Sequence, residues 1–321
     1  MYSKSLLNIS FVLFALLVAV APAEEFWWRG TGPDNLWIRE NNWWSNRVPN
    51  MYYDAGIGGI GSGEGGYAVI DNGIFAVCNI LIVGNWMPNT QWCYLEVKGG
   101  VLTVCGRAIM GKWGDSNPNT GGAGCMIIRD GALVIVNGDV WVRNQGHGRL
   151  EMKGGTLNVG QTLWVSYSTA HDKRGHLQLD GGTINAHRFR MYTPKGSMDI
   201  TGGTLIVDEV DDGFVTRLNG YIDQGAVTAY GGKGRVVIDQ GNVNPGKTTV
   251  TAIKHPDFNG DDTVNLLDFG ELAAYWKAGS GIPEFNDAYD LDDDGTIGIG
   301  DLELFTNRWL WPDGDIVLPI R

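Results

Sequence analysis

The chain has 321 residues, a net charge of −12, 48 glycines and 34 aromatic residues (13 Trp, 11 Tyr and 10 Phe). This length suffices for two domains, and the aromatic content excludes a disordered chain because it supplies ample apolar surface to bury. Residues 24–256 carry 21 acidic and 20 basic side chains, whereas residues 257–310 carry 13 acidic and 2 basic ones. The excess negative charge is therefore local and indicates cation binding, and no basic patch points to a nucleic acid partner.

Residues 1–23 have the pattern of a secretory signal peptide. Lys4 is their only charged side chain, an apolar run extends from Phe11 to Val20, and small residues precede a cleavage site near Ala23. We therefore expect a secreted or cell-surface protein. The apolar run is too short for a comfortable bilayer span, so we expect no membrane span in the mature chain.

The mature chain begins with a tryptophan-rich segment, residues 26–54. Five tryptophans fall within 18 residues: Trp27, Trp28, Trp37, Trp43 and Trp44. We interpret the segment as a cap that covers the open end of a repetitive body, because an open end exposes unpaired strand edges. The alternative is a sugar-stacking surface.

A repeated unit of strand, glycine pair and strand organises residues 24–256. Its copies begin 27, 31, 24, 27 and 21 residues apart and span 68–77, 95–104, 126–135, 150–159, 177–186 and 198–207. Apolar residues alternate on both sides of the glycines, so one face of each strand is buried. No such unit can bury its own face, and stacking of successive units would make the core.

The period predicts a mainly β fold, a parallel β-helix of the pectin-lyase-like kind. A further strand follows each unit, and the segment 77–86 aligns without gaps with 104–113 at a period of 27. The rival interpretation is an antiparallel sandwich or barrel built of hairpins, which alternating strands and turns also suit. We prefer the β-helix because equivalent residues recur at similar offsets.

The four cysteines test this alignment. Cys78 and Cys105 occupy the same place in successive units, and neighbouring turns of a β-helix lie about 4.8 Å apart, within reach of a disulfide. We therefore predict a Cys78–Cys105 disulfide. Cys93 and Cys125 are out of register by one residue, and their pairing stays open.

Residues 221–253 finish the array, and a short link, residues 254–256, leads to an acidic segment with two similar loops. The loops run from Asp257 to Asp268 and from Asp290 to Asp301. Oxygen-bearing side chains recur at positions 1, 3, 5 and 12, a spacing that wraps six to eight oxygens around Ca²⁺ with the backbone carbonyl of position 7. Apolar periodicity predicts that a helix follows each loop, over residues 266–276 and 300–309.

Two such loops 33 residues apart, each followed by one helix, resemble a type I dockerin over residues 257–321. The whole chain resembles secreted Gly-rich β-repeat proteins of Planctomycetes-type bacteria, which combine a Trp-rich start, Gly-Gly repeats and a dockerin-like tail. The dockerin resemblance implies two calcium ions and a cohesin-like partner domain. By this resemblance one ion is bound by Asp257, Asn259, Asp261, Thr263 and Asp268, and the other by Asp290, Asp292, Asp294, Thr296 and Asp301.

The expected partner-binding positions, 10 and 11 of each loop, depart from the family pattern. They are polar in dockerins, whereas here they are Leu266, Leu267, Ile299 and Gly300. We retain Leu266, Leu267 and Ile299 as the candidate partner contacts.

The repetitive body shows no convergent catalytic motif. The nearest basic group is His187, Arg188 and Arg190, the nearest acidic one is Asp208, Glu209, Asp211 and Asp212, and Asp180 and Asp199 lie in or beside turns. We therefore expect a non-catalytic secreted solenoid that is attached to its partner through the dockerin. The alternatives are a polysaccharide lyase or glycoside hydrolase, and a carbohydrate-binding scaffold with Trp ladders such as Trp86 over Trp113.

Overall fold

The structure is a computed structural model, which describes residues 24–58, 66–85, 91–112, 122–167, 172–261, 263–292 and 294–309. The predicted signal peptide with its cleavage site near Ala23, and the residues Trp86 and Trp113, lie outside the described residues. Within the described ranges, no helix combines the length and apolarity that a bilayer span requires.

The described strands are short except for two that run through whole turns of the fold. In chain order they are β1 (Glu25–Trp27), β2 (Asp54–Ile57), β3 (Tyr67–Asp71), β4 (Phe75–Cys78), β5 (Leu81–Val83), β6 (Trp92–Lys98), β7 (Val101–Val104), β8 (Ala108–Met110), β9 (Ala123–Ile128), β10 (Leu133–Val136), β11 (Val140–Trp141), β12 (His147–Trp164), β13 (Gly175–Arg190), β14 (Gly196–Ile200), β15 (Thr204–Val207), β16 (Val227–Ala229), β17 (Gly234–Gln240) and β18 (Thr248–Lys254).

The described helices lie towards the C-terminus. The α-helices are α1 (Asp212–Asp223), α2 (Leu266–Ala274) and α3 (Ile299–Thr306), and single 3₁₀ turns span Glu40–Asn42, Tyr230–Gly232 and Asp287–Tyr289. Helix α2 ends earlier than predicted because Tyr275 and Trp276 donate to carbonyls three residues back. Lys277 then has φ of +68°, the left-handed conformation that commonly terminates helices.

The strands stack into three parallel columns, and most turns of the chain add one strand to each column. The first column contains β3, β6, β9, β14, β16 and the starts of β12 and β13. The second contains β4, β7, β10, β15 and the middles of β12 and β13. The third contains β1, β2, β5, β8, β11 and the ends of β12 and β13.

This arrangement confirms the predicted parallel β-helix, with about seven turns. The antiparallel sandwich is wrong, because the ladders between the described strands are parallel except for those that β18 forms with β15 and β17. The core consists of like residues stacked in register. One inward ladder is Leu95, Met126, Leu150, Leu177 and Met198, each at most 1% exposed.

The disulfide prediction depends on a register that the structure corrects. Cys78 lies opposite Val104, not Cys105, and all four cysteines are free. The corner between the first two columns is one residue longer before β4 than before β7, so the second column is offset by one residue from the gap-free alignment. Cys78 therefore faces the core, where burial raises its pKa, and Cys105 is half-exposed.

A column of glycines sits where each turn enters the first column. Gly124, Gly148 and Gly175 are stacked in register. A Cβ atom would lie 1.8 Å from the Val83 carbonyl oxygen at Gly124 and 1.2 Å from that of Val142 at Gly148. The third column thus passes so close to these glycines that no side chain fits there. This constraint acts at other positions than the Gly-Gly pairs of the repeat.

The two ends of the solenoid are covered differently. At the N-terminal end, Trp28, Trp37 and Trp43 are buried, and the Trp43 indole N–H donates to the Trp37 carbonyl at 2.9 Å. At the other end, β18 pairs antiparallel with β15 and β17, and α1 packs Phe214 and Leu218 into the core. Trp44 is 53% exposed and takes no part in the core.

We predict that Gly148→Ala destabilises the solenoid by about 1–3 kcal/mol, because the added methyl group must displace the Val142 carbonyl. The matched control is Gly220→Ala in α1, where a Cβ meets nothing within 4 Å. The control should raise the free energy of unfolding by up to about 1 kcal/mol through helix propensity. Urea unfolding measures both changes, and equal stability of the two variants would contradict the prediction.

Candidate metal centre

The first acidic loop is closed by its twelfth residue, Asp268, which lies fully buried in the first turn of α2. Its Oδ1 atom accepts hydrogen bonds from the backbone N–H groups of Phe258 (2.7 Å) and Asn259 (3.1 Å). Its Oδ2 atom accepts from the N–H of Asn265 (2.9 Å). One carboxylate therefore ties the beginning of the loop to its end.

The second loop repeats this closure at equivalent positions. Asp301 is 1% exposed and accepts from the backbone N–H groups of Leu291, Asp292 (3.3 Å) and Gly298 (2.6 Å). The donors stand at the same offsets from the aspartate as in the first loop. The two loops therefore have the same closure, as their similar sequences predict.

The first residue of each loop folds the chain back on itself. Asp257 accepts from the N–H groups of Gly260 (2.8 Å) and Asp261 (3.2 Å). Asp290 accepts from those of Asp294 (3.1 Å) and Gly295 (2.9 Å). Carboxylates of one loop are thereby turned towards a common point.

Two clusters of carboxylates result, each with ligand oxygens that lie within 4.8 Å of one another. They are Asp257, Asp261 and Asp268 in the first loop and Asp290, Asp292 and Asp294 in the second. Hard oxygen donors at this spacing suit Ca²⁺, and three carboxylates so close repel one another unless a cation lies between them. The residues present thus fit a calcium ion in each loop.

The other predicted ligands lie around these clusters. The Asn259 Oδ1 atom accepts from the N–H of Asp261 at 2.9 Å, and the Thr296 hydroxyl donates to the Asp294 carboxylate at 2.7 Å. The Thr263 carbonyl accepts from the Asn265 side-chain amide at 3.0 Å. Asp301 is absent from the three-carboxylate group of its loop, and its carboxylate is instead engaged by backbone N–H groups.

The loops and helices enclose a small core of their own. Val264 and Ile297, at position 8 of the two loops, are 2% and 0% exposed. They pack with Phe258, Leu272 and Phe305, among others. The apolar residue in the middle of each loop thus anchors the loop to this core.

The candidate partner contacts are exposed apolar side chains. Leu266, Leu267 and Ile299 are 71%, 66% and 73% exposed, in the first turns of α2 and α3. Position 300 requires a glycine for a steric reason, because a Cβ atom there would lie 1.7 Å from the Asp292 Oδ2 atom. The glycine makes room for a candidate calcium ligand.

The catalytic candidates of the solenoid bind one another. The Arg190 guanidinium donates to both carboxylate oxygens of Glu209 at 2.6 and 2.7 Å, and Asp208 pairs with Lys247 at 2.7 Å. Burial raises the pKa of Glu209, but these hydrogen bonds hold it below its ordinary value. Asp211 caps α1 through the N–H of Phe214. Arg190, Asp208, Glu209 and Asp211 thus have structural partners, and the His187 ring lies 3.3 Å from the Asp208 carboxylate.

Asp180 and Asp199 are likewise engaged on the outer face of the first column. The Thr201 hydroxyl donates to Asp180 at 2.9 Å, and the Thr228 hydroxyl donates to Asp199 at 2.6 Å. The side-chain amide of Gln178 donates to both carboxylates.

The sequence gives no signal for the residues that hold the acidic segment against the solenoid. Lys233 contacts Glu271 and Tyr289, and Lys254 contacts Asp287 and Asp290. The partners of each lysine are 33 to 56 residues away along the chain, so no local pattern marks them.

The family model described as Dockerin type I domain matches residues 255–310. The matched region contains both loops and both following helices, and we call it the dockerin module. Dockerins bind calcium and attach to cohesin domains, which agrees with the two carboxylate clusters. Neither the curated proteins nor the solved structures gave a match to the chain.

We predict that chelation unfolds the dockerin module while the three columns of the solenoid stay folded. The module's core is too small to offset the mutual repulsion of its carboxylates without a cation. A calcium concentration 100-fold above the dissociation constant should stabilise each loop by about 2.7 kcal/mol. Backbone NMR spectra with and without chelator measure the unfolding. Resonances of the module that do not change when chelator is added would refute the prediction.

Proposed function

We propose that this protein is an extracellular or cell-surface β-solenoid that attaches to a cohesin-like domain through its dockerin module in a calcium-dependent manner. The observation that carries the proposal is the pair of equivalent loops. Each loop combines a carboxylate cluster with a buried aspartate that closes it, and each places exposed apolar residues next to the cluster. The signal peptide pattern supports export.

Each loop binds one calcium ion in this proposal. The carboxylate clusters supply the negative charge, and the remaining oxygens of the predicted sets complete the shells. The first set is Asp257, Asn259, Asp261, Thr263 and Asp268, and the second is Asp290, Asp292, Asp294, Thr296 and Asp301. Calcium requires six to eight oxygens, and water supplies those that the protein does not.

The partner surface is formed by Leu266, Leu267 and Ile299. Exposed apolar side chains of this size are typical of recognition sites when they stand together beside polar groups. Their helices begin at the loops, so calcium fixes the direction in which the three side chains point. Apolar contacts at these positions favour a cohesin-like domain with an apolar surface over one that reads polar residues.

The solenoid body is non-catalytic in this proposal, because Arg190, Asp208 and Glu209 are engaged in structural pairs. A second candidate function, carbohydrate binding, is supported by an outer face of the first column. On this face the exposed fraction is 38% for Tyr67, 37% for Trp92 and 36% for Tyr94. The three aromatic residues lie beside the Glu96–Arg129 ion pair. Aromatic surface with ionised neighbours suits a polar ligand that also stacks.

We predict that Leu267→Asp and Ile299→Asp each weaken binding to a cohesin domain at least tenfold, because a charge would be buried in an apolar contact. The control is Ile282→Asp, at an exposed residue (47%) outside the two recognition helices. Calorimetry should show two calcium ions for all three variants. The measurement uses a panel of cohesin domains in calcium and in chelator. Binding that persists in chelator, or that both variants leave intact, would contradict the proposal.

We further predict no turnover of pectins or sulfated glycans. Reducing-sugar and unsaturated-product assays measure hydrolysis and elimination separately. Turnover that disappears in Arg190→Gln or Asp199→Asn would instead establish an enzyme, whereas retardation of the chain by one of these glycans in affinity electrophoresis would support the binding function.

A further inference from the structure

The last hairpin of the solenoid, β17–β18, reaches the second calcium loop through Lys254. The Lys254 side chain is only 3% exposed. Its ammonium donates to the backbone carbonyl of Asp290 at 2.6 Å and to the Asp287 carboxylate at 3.1 Å. Asp290 is the first residue of the second loop and a member of its carboxylate cluster. A buried cation of the solenoid is therefore neutralised at the point where this loop begins.

Lys233, which directly precedes the hairpin, makes a second connection. Its ammonium donates to the Tyr289 hydroxyl at 2.5 Å and lies 3.3 Å from the Glu271 carboxylate. Tyr289 in turn donates to Glu271 at 2.6 Å. Tyr289 immediately precedes Asp290 and is 2% exposed, so this connection reaches both α2 and the chain that enters the second loop.

We infer that the hairpin and the second calcium loop form one cooperative unit, so that calcium binding to this loop stabilises the C-terminal end of the solenoid. The inference rests on the proposed calcium binding. It adds that the dockerin module, when it binds calcium, helps to close the C-terminal end of the solenoid. The module is therefore not joined to the solenoid by the linking residues alone. The module is thereby held in one orientation, with Glu271, Asp287 and Tyr289 turned to the solenoid.

The physical reason is the sharing of Asp290 between the two contacts. Its side chain belongs to the carboxylate cluster, while its carbonyl accepts from Lys254. Without a cation, the clustered carboxylates repel one another and the start of the loop loses its fixed position. Lys254 then loses acceptors that a buried ammonium needs, and the strand that carries it is destabilised. Because the coupling is thermodynamic, it acts in both directions.

Hydrogen exchange of the full mature chain tests this, with and without calcium, and the readout is the protection of amides in β18. In the unmodified chain, calcium should slow their exchange about tenfold or more. In Lys254→Met the calcium effect on β18 should disappear, while calorimetry still finds two ions because Lys254 offers no oxygen ligand. The control is Lys247→Met, since this lysine precedes the same strand but pairs with Asp208 of the solenoid. Its β18 amides should still respond to calcium.

Asp287→Asn provides a second variant that leaves the solenoid sequence unchanged and should reduce the calcium effect on β18. Calcium binding in calorimetry with no change of β18 protection in the unmodified chain would overturn the inference and leave the proposed function standing. An equal calcium effect in the unmodified chain and in Lys254→Met would also overturn it. Failure to bind calcium at all would instead remove the proposed function on which the inference rests.

Discussion

Main-chain hydrogen bonding between successive turns is the interaction on which the rest of this structure depends. A single turn has strands too short and too far apart to bury its own apolar face, so its backbone groups and its inward side chains both need the next turn. Once two turns pair in parallel register, like residues stack, as in the ladder from Leu95 to Met198. Neighbouring backbone segments lie so close together that no side chain fits at Gly124, Gly148 and Gly175.

Stacking leaves two open ends, and this protein covers them with different means. Three tryptophans fill the N-terminal end, where Trp43 is bonded to Trp37. At the C-terminal end the chain reverses and pairs antiparallel, which ends the stack because β18 offers no parallel edge in register. This hairpin ends in Lys254 and is directly preceded by Lys233, so the segment that ends the solenoid also contacts the dockerin module.

Within the dockerin module, aspartates both close each loop and form its candidate calcium-binding cluster. Asp268 and Asp301 satisfy backbone N–H groups that would otherwise be left without acceptors at the helix starts. Asp268 is also a member of the first carboxylate cluster, and in both clusters the carboxylates lie close enough to repel one another without a cation. Gly300 lacks a side chain and so leaves room for Asp292, whereas its neighbour Ile299 carries an exposed apolar side chain. The candidate metal site and the candidate partner contacts therefore constrain adjacent residues for different reasons.

The amino-acid pattern predicts the repeating strands, the two acidic loops and the candidate contacts Leu266, Leu267 and Ile299, and it favours the parallel β-helix over an antiparallel sandwich. These features follow from local patterns, since strand alternation, glycine pairs and loop ligands recur at short spacings that residues impose on their own neighbourhood. The three-dimensional structure adds that Cys78 lies opposite Val104, that a glycine column lines one corner, that Arg190 binds Glu209, and that Lys254 reaches Asp290. The reason is that the length of each corner sets the register of the next column: the longer corner before β4 shifts the second column by one residue, while Leu81 still pairs with Ala108 in the third. Pairs between elements therefore depend on the whole path of the chain, which no local pattern records.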